Sequence, residues 1–307
     1  MKTVQDIGEK ARELKSGFEV LIEEHRQGLW SYCRYLTGSP WDGEDLFQET
    51  FLKAMGAYYQ RWHATDVRAY LYRIATNTWI DLCRRRKMAL GVLQEHLEPD
   101  AEFEDNLELE YALECLTASF PPRQAAVFLL MEVFRFSAKE IAGMVRTTPG
   151  AVYASVRRMK EKLKNGNEGN DLLNPEISLS AEHKAVIQAY LKAFNEGNLA
   201  EMLSLFSDEP HYEASLGFLE YTREEMESGS LQHGLPGHMA SEYLLWGRPV
   251  TVTLAEGPAG PMIHDIQYHE VENEKITASI SYYFRKEFIL AASEELGIPA
   301  QTEKFGW

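Results

Sequence analysis

The side chains of this sequence that can do chemistry are grouped for binding rather than for making or breaking bonds. An acidic group comprises Asp45, Gln48 and Glu49, and a mixed polar group comprises Arg73, Asn77, Asp81 and Arg84. A third group, between residues 148 and 160, is basic. Carboxylates pair with the arginines of a protein partner, whereas clustered cations bind phosphate. The groups therefore indicate one surface for a protein and two for nucleic acid.

An amphipathic helix over residues 42–57 must position the acidic group. Phe47, Phe51 and Met55 recur at helical spacing and predict its core seam, so Asp45 and Glu49 lie on another face. Carboxylates in a first turn stabilise the start of any helix, which is one interpretation of this face. Docking on Arg-rich helices of a partner is the other.

A second amphipathic helix, predicted over residues 67–87, must position the mixed group. Its apolar repeat comprises Leu71, Ile74, Thr78 and Leu82, and the polar stripe lies apart from that repeat. The helix ends in four consecutive cations, from Arg84 and Arg85 to Lys87. Cations complement a helix C-terminus, but four exceed what that requires, so we expect phosphate contacts.

Aromatic residues lie just before this helix, between residues 58 and 63. Tyr59, Arg61 and Trp62 place rings beside a cation, which suits stacking on unpaired bases. A buried aromatic cluster is the competing interpretation.

The basic group has explicit helix boundaries. Ser137 and Glu140 form a capping box that opens a short helix through Val145, and Thr148 caps a second helix that has Pro149 at its first position. The second helix is expected to bury Val152, Val156, Met159 and Leu163. Its outward candidates are Thr148, Tyr153, Ala154, Arg157, Arg158 and Lys160. Two short helices with a basic second one match a helix-turn-helix, whose second helix enters the major groove.

The charge distribution supports this interpretation. The chain has a formal net charge of −16, but residues 123–164 hold nine Lys or Arg and three Glu, a local charge of +6. Residues 1–170 carry 23 basic and 25 acidic side chains, whereas residues 171–307 carry 8 and 22. The acidic excess therefore lies in the C-terminal part, apart from the DNA-binding part.

Together these segments resemble the extracytoplasmic-function (ECF) sigma factors of the sigma-70 family. The stretch "DGEDLFQETFLKA" resembles the polymerase-binding part of region 2, and "RAYLYRIATNTWIDLCRRRK" resembles its promoter-melting, −10-reading part. The stretch "FPPRQAAVFLLMEVFRFSAKEIAGMVRTTPGAVYASVRRMKEKL" resembles region 4, which reads the −35 element. Arg146 and Thr147 in the turn, where relatives often carry Gly, and Tyr153 on the reading helix depart from the family pattern.

The resemblance implies a promoter-recognition subunit and not an enzyme, with core RNA polymerase and promoter DNA as partners. Asp45, Gln48 and Glu49 would bind core polymerase. The −10 element would be bound by Tyr59, Arg61, Trp62, Arg73, Asn77, Asp81, Arg84 and Arg85. The −35 element would be bound by Thr148, Tyr153, Ala154, Arg157, Arg158 and Lys160.

Two connectors divide the chain. Residues 95–114 hold nine carboxylates and no Lys or Arg, which predicts a solvated acidic segment. The resemblance implies that this segment threads the polymerase channel that RNA later occupies. Gly, Asn and Pro between residues 165 and 175 mark the second connector. We expect region 2 at 1–90, an acidic linker at 91–108, region 4 at 109–165, a linker at 166–178 and a C-terminal domain at 179–307.

The C-terminal domain is predicted to be α+β. Ser180 opens a helix over 181–195, and a second helix over 199–206 follows a turn at Gly197 and Asn198. Alternating runs at 250–254, 262–268 and 275–285 predict strands of an antiparallel sheet after the helices. The stretch "AYLKAFNEGNLAEMLSLFSDE" resembles the opening of the SnoaL and ketosteroid-isomerase superfamily, a cone with an internal cavity. The expected architecture is thus two all-α sigma domains and a SnoaL-like cone.

Proteins of that superfamily include isomerases and cyclases, so polar residues of this domain are weighed for catalysis. The candidates are Asp208, His211, Tyr212, His264, Asp265, Tyr282 and Tyr283. Their spacing forms no specific constellation, and ordinary surface or core roles explain them equally well. We expect the acidic domain to regulate the sigma part by direct intramolecular contact, and a small ligand of unidentified chemistry remains open as a further partner.

The remaining features narrow the class of protein. No apolar run approaches a membrane span and the first residues do not form a signal peptide, so a cytoplasmic location is expected. Cys33, Cys83 and Cys115 lack metal-ligand spacing, and no metal or cofactor is expected. Three hypotheses follow: a sigma factor with a built-in regulator, a sigma factor fused to a ligand sensor or enzyme, and a plain DNA-binding repressor. A repressor has no need of the acidic helix.

Overall fold

The computed structural model of this chain describes residues 4–59, 66–90, 120–165, 180–215, 218–231 and 237–302. The chain divides between Asn174 and Pro175 into two compact units. The first unit is helical and the second combines helices with a sheet, which confirms the predicted fold class. Within the described ranges no helix is both long and apolar enough to cross a membrane.

Three long helices open the first unit: α1 (Val4–Thr37), α2 (Pro40–Tyr59) and α3 (Val67–Leu90). Tyr32, Phe47 and Leu71 are fully buried where these helices meet. Gly38 ends α1 in the left-handed conformation with a φ of 70°. Gly43 lets α2 cross α1 closely, because a Cβ there would lie 2.6 Å from the Cα of Arg34.

A second helical group comprises α4 (Pro122–Phe128), a π-helical turn (Leu129–Val133), α5 (Ala138–Met144) and α6 (Pro149–Asn165). Both predicted helix starts are confirmed. The Ser137 hydroxyl accepts from the Glu140 N–H, and the Ser137 N–H donates to the Glu140 carboxylate at 2.7 Å. The Thr148 hydroxyl accepts from the N–H of Ala151 at 3.2 Å.

The core face of α6 differs from the prediction at one position. Val152, Val156 and Met159 are buried as expected, but Leu163 is 41% exposed. The prediction for Leu163 was wrong because α6 has 17 residues whereas α4 and α5 have 7 each, so its last turns extend past the helices that cover it.

The loop after the π-helical turn packs on α1 and α3. The ring centroid of Phe134 lies 5.1 Å from that of Tyr32 and 5.4 Å from that of Tyr72, and Phe136 lies 4.9 Å from Tyr72. The guanidinium of Arg68 lies 4.0 Å over the Phe136 ring. The two helical groups of the first unit therefore share a cluster of aromatic contacts, which the sequence pattern did not indicate.

The second unit surrounds a six-stranded sheet in the order β2-β1-β6-β5-β4-β3. The strands are β1 (Phe206–Ser215), β2 (Phe218–Glu220), β3 (His238–Leu245), β4 (Arg248–Gly257), β5 (Gly260–Glu272) and β6 (Lys275–Ser281). Helices α7 (Ala181–Asn195) and α8 (Leu199–Leu205) precede the sheet, α9 (Arg223–Ser228) follows β2, and α10 (Lys286–Leu296) follows β6. The predicted helix over 181–195 is confirmed as α7, which buries Ile187, Tyr190, Leu191 and Phe194 on one face.

Several details of this unit correct the sequence prediction. The predicted strands, β4, β5 and β6, pair antiparallel as expected, but the whole sheet is mixed because β1 pairs with β6 in parallel. Phe206 begins β1 instead of ending α8, and the last predicted strand stops at Ser281, after which Arg285 caps the N-terminus of α10. The polar stretch of β1 lacks clean alternation, so only its pairing with β6 and β2 makes it a strand.

Candidate functional site

The acidic group lies at the surface of α2. Asp45 is exposed, and Gln48 and Glu49 are half-buried. The Glu49 carboxylate lies 2.8 Å from the Lys53 ammonium, and Leu52 beside them is 38% exposed. An exposed pair of this kind contributes less than about 1 kcal/mol, so Glu49 can exchange Lys53 for a cation of a partner.

The buried carboxylate of Glu44 holds the Gln48 side chain of this acidic face in place. Glu44 is fully buried and accepts hydrogen bonds from the Trp30 indole at 2.7 Å and from the Gln48 amide at 2.5 Å. Glu44 is therefore a buried hydrogen-bonding group and not one of the carboxylates that merely stabilise the start of a helix. Its partner Trp30 is 14 residues away on another helix, so no local spacing pointed to this role.

The mixed group forms an exposed stripe on α3, as predicted from its spacing. Arg73, Asn77, Asp81 and Arg84 are all exposed, and the guanidinium of Arg84 lies 2.5 Å from the carboxylate of Asp81. Exposed pairs are weak and screened by salt, so a phosphate can replace the carboxylate.

The cations at the end of α3 have different partners. Arg86 lies 3.7 Å from Asp42 at the start of α2. Arg85 is exposed and makes no ion pair with any residue that the structure describes. Tyr59 is the last residue of α2, whereas the predicted contacts Arg61 and Trp62 lie outside the described residues.

Helix α6 presents the basic group on its outer face. Tyr153 is 61% exposed, and Arg157 and Arg158 are exposed beside it. The guanidinium of Arg157 lies 3.7 Å from Glu161, and that of Arg158 donates to the carbonyl of Ala154 at 3.2 Å. These weak contacts leave both guanidinium groups available to a base edge or a phosphate.

The other −35 candidates have structural partners of their own. The Lys160 ammonium lies 2.7 Å from the carboxylate of Glu132 on the π-helical turn. The hydroxyl of Thr148 serves as the helix cap, and Ala154 is half-buried. Lys160 and Thr148 therefore help to hold α6 in place, in addition to any contact with DNA.

In the second unit, five of the seven polar candidates have partners of different kinds: Asp208, His211, His264, Tyr282 and Tyr283. Asp208 is 94% exposed beside Arg223, and His211 is half-buried, 3.8 Å from Glu213. His264 shares a 2.6 Å hydrogen bond with Gln301, and Tyr282 stacks on Phe288 in the core. Of these five, His264 and Tyr283 are in ring contact, with centroids 5.1 Å apart.

The other two candidates, Asp265 and Tyr212, join a buried polar row on the sheet face beneath α7. The carboxylate of Asp265 accepts from the Gln267 amide at 2.9 Å and from the Ser281 hydroxyl at 2.8 Å. The Tyr190 hydroxyl of α7 donates to Gln267 at 3.0 Å. Burial, and secondly the Asp265 charge, raises the pKa of both Tyr190 and Tyr212, so both phenols stay protonated as donors.

The same face carries buried polar atoms without partners. The hydroxyls of Thr251, Thr253 and Ser279 and both ring nitrogens of His269 find no hydrogen-bond partner among the described residues. Cross-strand pairing places them beside the row, because Thr251 is opposite Gln267, Thr253 opposite Asp265 and His269 opposite Ser279. Burial, and secondly His183, lowers the pKa of His269 to about 3, so its ring is neutral.

Sequence reasoning missed most of this row. Asp265, Gln267 and His269 alternate along β5, which is the one local sign that they share a face. Tyr190, Ser279 and Ser281 come from other elements and meet them only through the fold.

Comparison with known proteins agrees with this geometry. The family model for sigma-70 region 2 matches residues 21–88, which include α2 and α3. The family model for sigma-70 region 4 matches residues 110–163, which include α4 to α6. The two models therefore cover the acidic face, the polar stripe and the helix-turn-helix.

Curated relatives extend the likeness. The ECF RNA polymerase sigma factor SigG of Mycobacterium tuberculosis is 27% identical over 236 residues, which are 67% of this chain and 63% of SigG. The RNA polymerase sigma-E factor of Streptomyces antibioticus is 30% identical over 163 residues, which are 50% of this chain and 87% of that protein. The solved structure of the ECF sigma factor SigJ of Mycobacterium tuberculosis is 20% identical, covers 87% of this chain and 95% of SigJ, and has a TM-score of 0.34.

The chain is a sigma factor by class, because it matches the models for sigma-70 regions 2 and 4 and is 30% identical to the Streptomyces antibioticus sigma-E factor over 87% of that protein. It belongs to the sigma-70 family, in the ECF group. The chain spans 63% of the length of the SigG relative that it matches.

Proposed function

We propose that this chain is a sigma subunit of bacterial RNA polymerase that directs promoter recognition and transcription initiation. One observation carries the proposal: an exposed acidic face, an exposed polar stripe and an exposed basic reading helix occur in the family's order on region 2 and region 4. The acidic face would dock on core polymerase, the stripe of α3 on the −10 element and the outer face of α6 on the −35 element.

Run-off transcription tests this proposal directly. The full chain and a truncation after Lys164 are each combined with core polymerase on promoter fragments selected from genomic DNA of the source organism. Both proteins should give discrete transcripts that core polymerase alone does not produce. A chain that binds DNA but gives no transcript with core polymerase would be a repressor and not a sigma factor.

The C-terminal unit is proposed to regulate the sigma part by intramolecular contact. Residues 171–307 carry 8 basic and 22 acidic side chains, and the reading head at 123–164 has a local charge of +6. A tethered acidic domain has a high effective concentration near a basic surface and can compete with DNA for it. Polymerase would then drive opening if it binds only the extended arrangement.

Small-angle scattering combined with transcription tests this regulation. The free chain should be compact, and the truncation after Lys164 should change transcript yield. Three independent lobes in solution, together with unchanged yield after the truncation, would contradict regulation by contact.

A second candidate function for the C-terminal unit is sensing of a small ligand. The buried polar row of Asp265, Gln267 and Ser281, with partnerless hydroxyls beside it, favours this candidate. A polar groove of about 490 Å³ opens between α7 and β3, next to the same face. If the unit senses a small ligand, metabolites from a cell extract should slow the hydrogen exchange of the β5 amides. This slowing should be absent in the Asp265→Asn variant.

A further inference from the structure

Arg123 holds the turn of the helix-turn-helix although it lies on neither of that motif's two helices. One guanidinium nitrogen of Arg123 donates to the carbonyl of Val145 and, at 3.0 Å, to the carbonyl of Arg146. Val145 is the C-cap of α5, where the helix leaves acceptors without intrahelical donors, and Arg146 follows it in the turn. Arg123 is the second residue of α4, so its side chain joins α4 to the end of α5 and to the turn that leads into α6.

The turn that Arg123 contacts has a strained backbone. Arg146 has a φ of 52°, in the left-handed region that L-residues other than Asn, Asp and Gly rarely adopt. The Thr147 N–H donates to the carbonyl of Ala142 at 2.9 Å, which keeps the chain turned tightly toward the cap of α6. Such a conformation persists where surrounding contacts hold it.

The same guanidinium lies at the unfavourable end of its own helix. A cation in the first turn of α4 opposes the partial positive charge of that N-terminus, whereas the carbonyls at the C-terminus of α5 attract it. The position of Arg123 is therefore explained by the neighbouring turn and not by α4.

Helix α6 is held at a second point farther along. The 2.7 Å ion pair between Lys160 and Glu132 joins α6 to the π-helical turn. This pair is partly exposed and contributes less than about 1 kcal/mol, so it only supplements the contacts by which Arg123 sets the angle at which α6 leaves α5. Base readout depends on this angle, because bidentate contacts to base edges need side chains placed within about 0.5 Å.

We propose that Arg123 is a positioning residue for −35 recognition, which acts by holding the left-handed turn at Arg146 and not by contacting DNA. This inference rests on the proposed function of region 4. It gives Arg123 a role that differs from those of Arg157 and Arg158, although all three are exposed cations in one basic segment.

The experiment measures affinity and its salt dependence for the full chain bound to core polymerase. The probe is a duplex selected by the wild-type holoenzyme from a pool randomised at the −35 position, with a scrambled duplex as reference. Arg123→Met keeps an unbranched stem but has no donor. We expect it to lower the ratio of selected to scrambled affinity about tenfold, the size of one lost base contact. The slope of log affinity against log salt should stay at the wild-type value.

A double variant distinguishes a positioning role of Arg123 from direct contact with DNA. Glycine adopts positive φ without a steric penalty, so Arg146→Gly should restore most of the ratio in the Arg123→Met background. Loss of the Arg146 charge affects both duplexes alike and cancels in the ratio.

Other outcomes contradict the inference in distinguishable ways. If the slope of log affinity against log salt falls by about 0.9 while the ratio of selected to scrambled affinity is unchanged, Arg123 is a phosphate contact instead. A lowered ratio that Arg146→Gly does not restore, together with a lower melting temperature, would make its role one of general stability. If the wild-type holoenzyme selects no sequence, the proposed −35 function fails, and Arg123 has nothing to position.

Discussion

The guanidinium of Arg68 donates a 2.6 Å hydrogen bond to the main-chain carbonyl of Phe134, and this bond joins the first turn of α3 to the loop before the helix-turn-helix. The same guanidinium lies 4.0 Å over the ring of Phe136. Region 2 and region 4 are thus in contact through this cation and through the rings of Phe134 and Phe136, which pack on Tyr32 and Tyr72. The polar stripe of α3 remains exposed on another face of the helix.

Arg68→Met should loosen this contact. A hydrogen bond to a charged donor contributes about 1.5–3 kcal/mol, and the loss leaves the Phe134 carbonyl without its donor. Hydrogen exchange at Phe134–Phe136 and in the first turns of α3 should accelerate about tenfold or more. Arg73→Met, on the exposed stripe of the same helix, is the matched control and should leave exchange unchanged. Equal protection in both variants would show that the aromatic rings alone hold the contact.

Asp45→Arg combined with Glu49→Arg should weaken binding to core RNA polymerase at least about tenfold. Two charge reversals on a docking face replace attraction to cationic partner groups by repulsion, while exposed substitutions change stability by about 0.5 kcal/mol or less. Titration calorimetry or a pull-down with purified core enzyme measures the effect. Glu23→Arg with Glu24→Arg makes the same charge change on α1. Similar loss in both variants would indicate a general charge effect and not a docking face.

Arg157→Ala and Arg158→Ala should each reduce −35 recognition, and the pattern of loss distinguishes their roles. A contact with a base edge costs about 1–3 kcal/mol and alters sequence preference. A phosphate contact weakens binding to all sequences and lowers the salt slope. Competition binding with single-base variants of the selected duplex separates the two cases. Lys139→Ala on α5 serves as the control, and full promoter output in both arginine variants would show that this face of α6 does not meet DNA.

The neutral ring of His269 should make the C-terminal unit sensitive to acid. Burial lowers the folded-state pKa of His269 to about 3, whereas the unfolded chain binds a proton near 6.5. Because the unfolded state then holds more protons, the free energy of unfolding decreases as pH falls from about 6.5 toward 3. Between pH 7.5 and 5.5 this group alone accounts for a decrease of about 1.4 kcal/mol.

Urea unfolding at these two pH values tests the His269 prediction. A hydrogen-exchange pulse at a common pH follows the peptides of β5, so that the C-terminal unit is measured within the full chain. His269→Leu should reduce the pH-dependent decrease by about 1.4 kcal/mol relative to the wild type. An equal decrease in both proteins would contradict a neutral, buried ring at position 269.

Local patterns in the sequence determined the helix boundaries and the surfaces of the sigma part. Ser137, Thr148 and Ser180 cap helices through bonds to N–H groups three residues away, so each start could be predicted from neighbours alone. Helical spacing likewise separated the buried seam of α6 from its exposed basic face, except at Leu163. The motifs that define the family are local in the same sense.

Tertiary structure alone decided which distant residues meet. Glu44 with Trp30, Arg68 with Phe134 and Arg123 with Arg146 are pairs from different elements. The pairing of β1 with β6 and the polar row around Asp265 likewise bring together chain segments that are far apart in sequence. Periodicity reports which face of an element is buried, but it carries no information about the element that covers that face. These contacts became visible only once the helices and strands were packed.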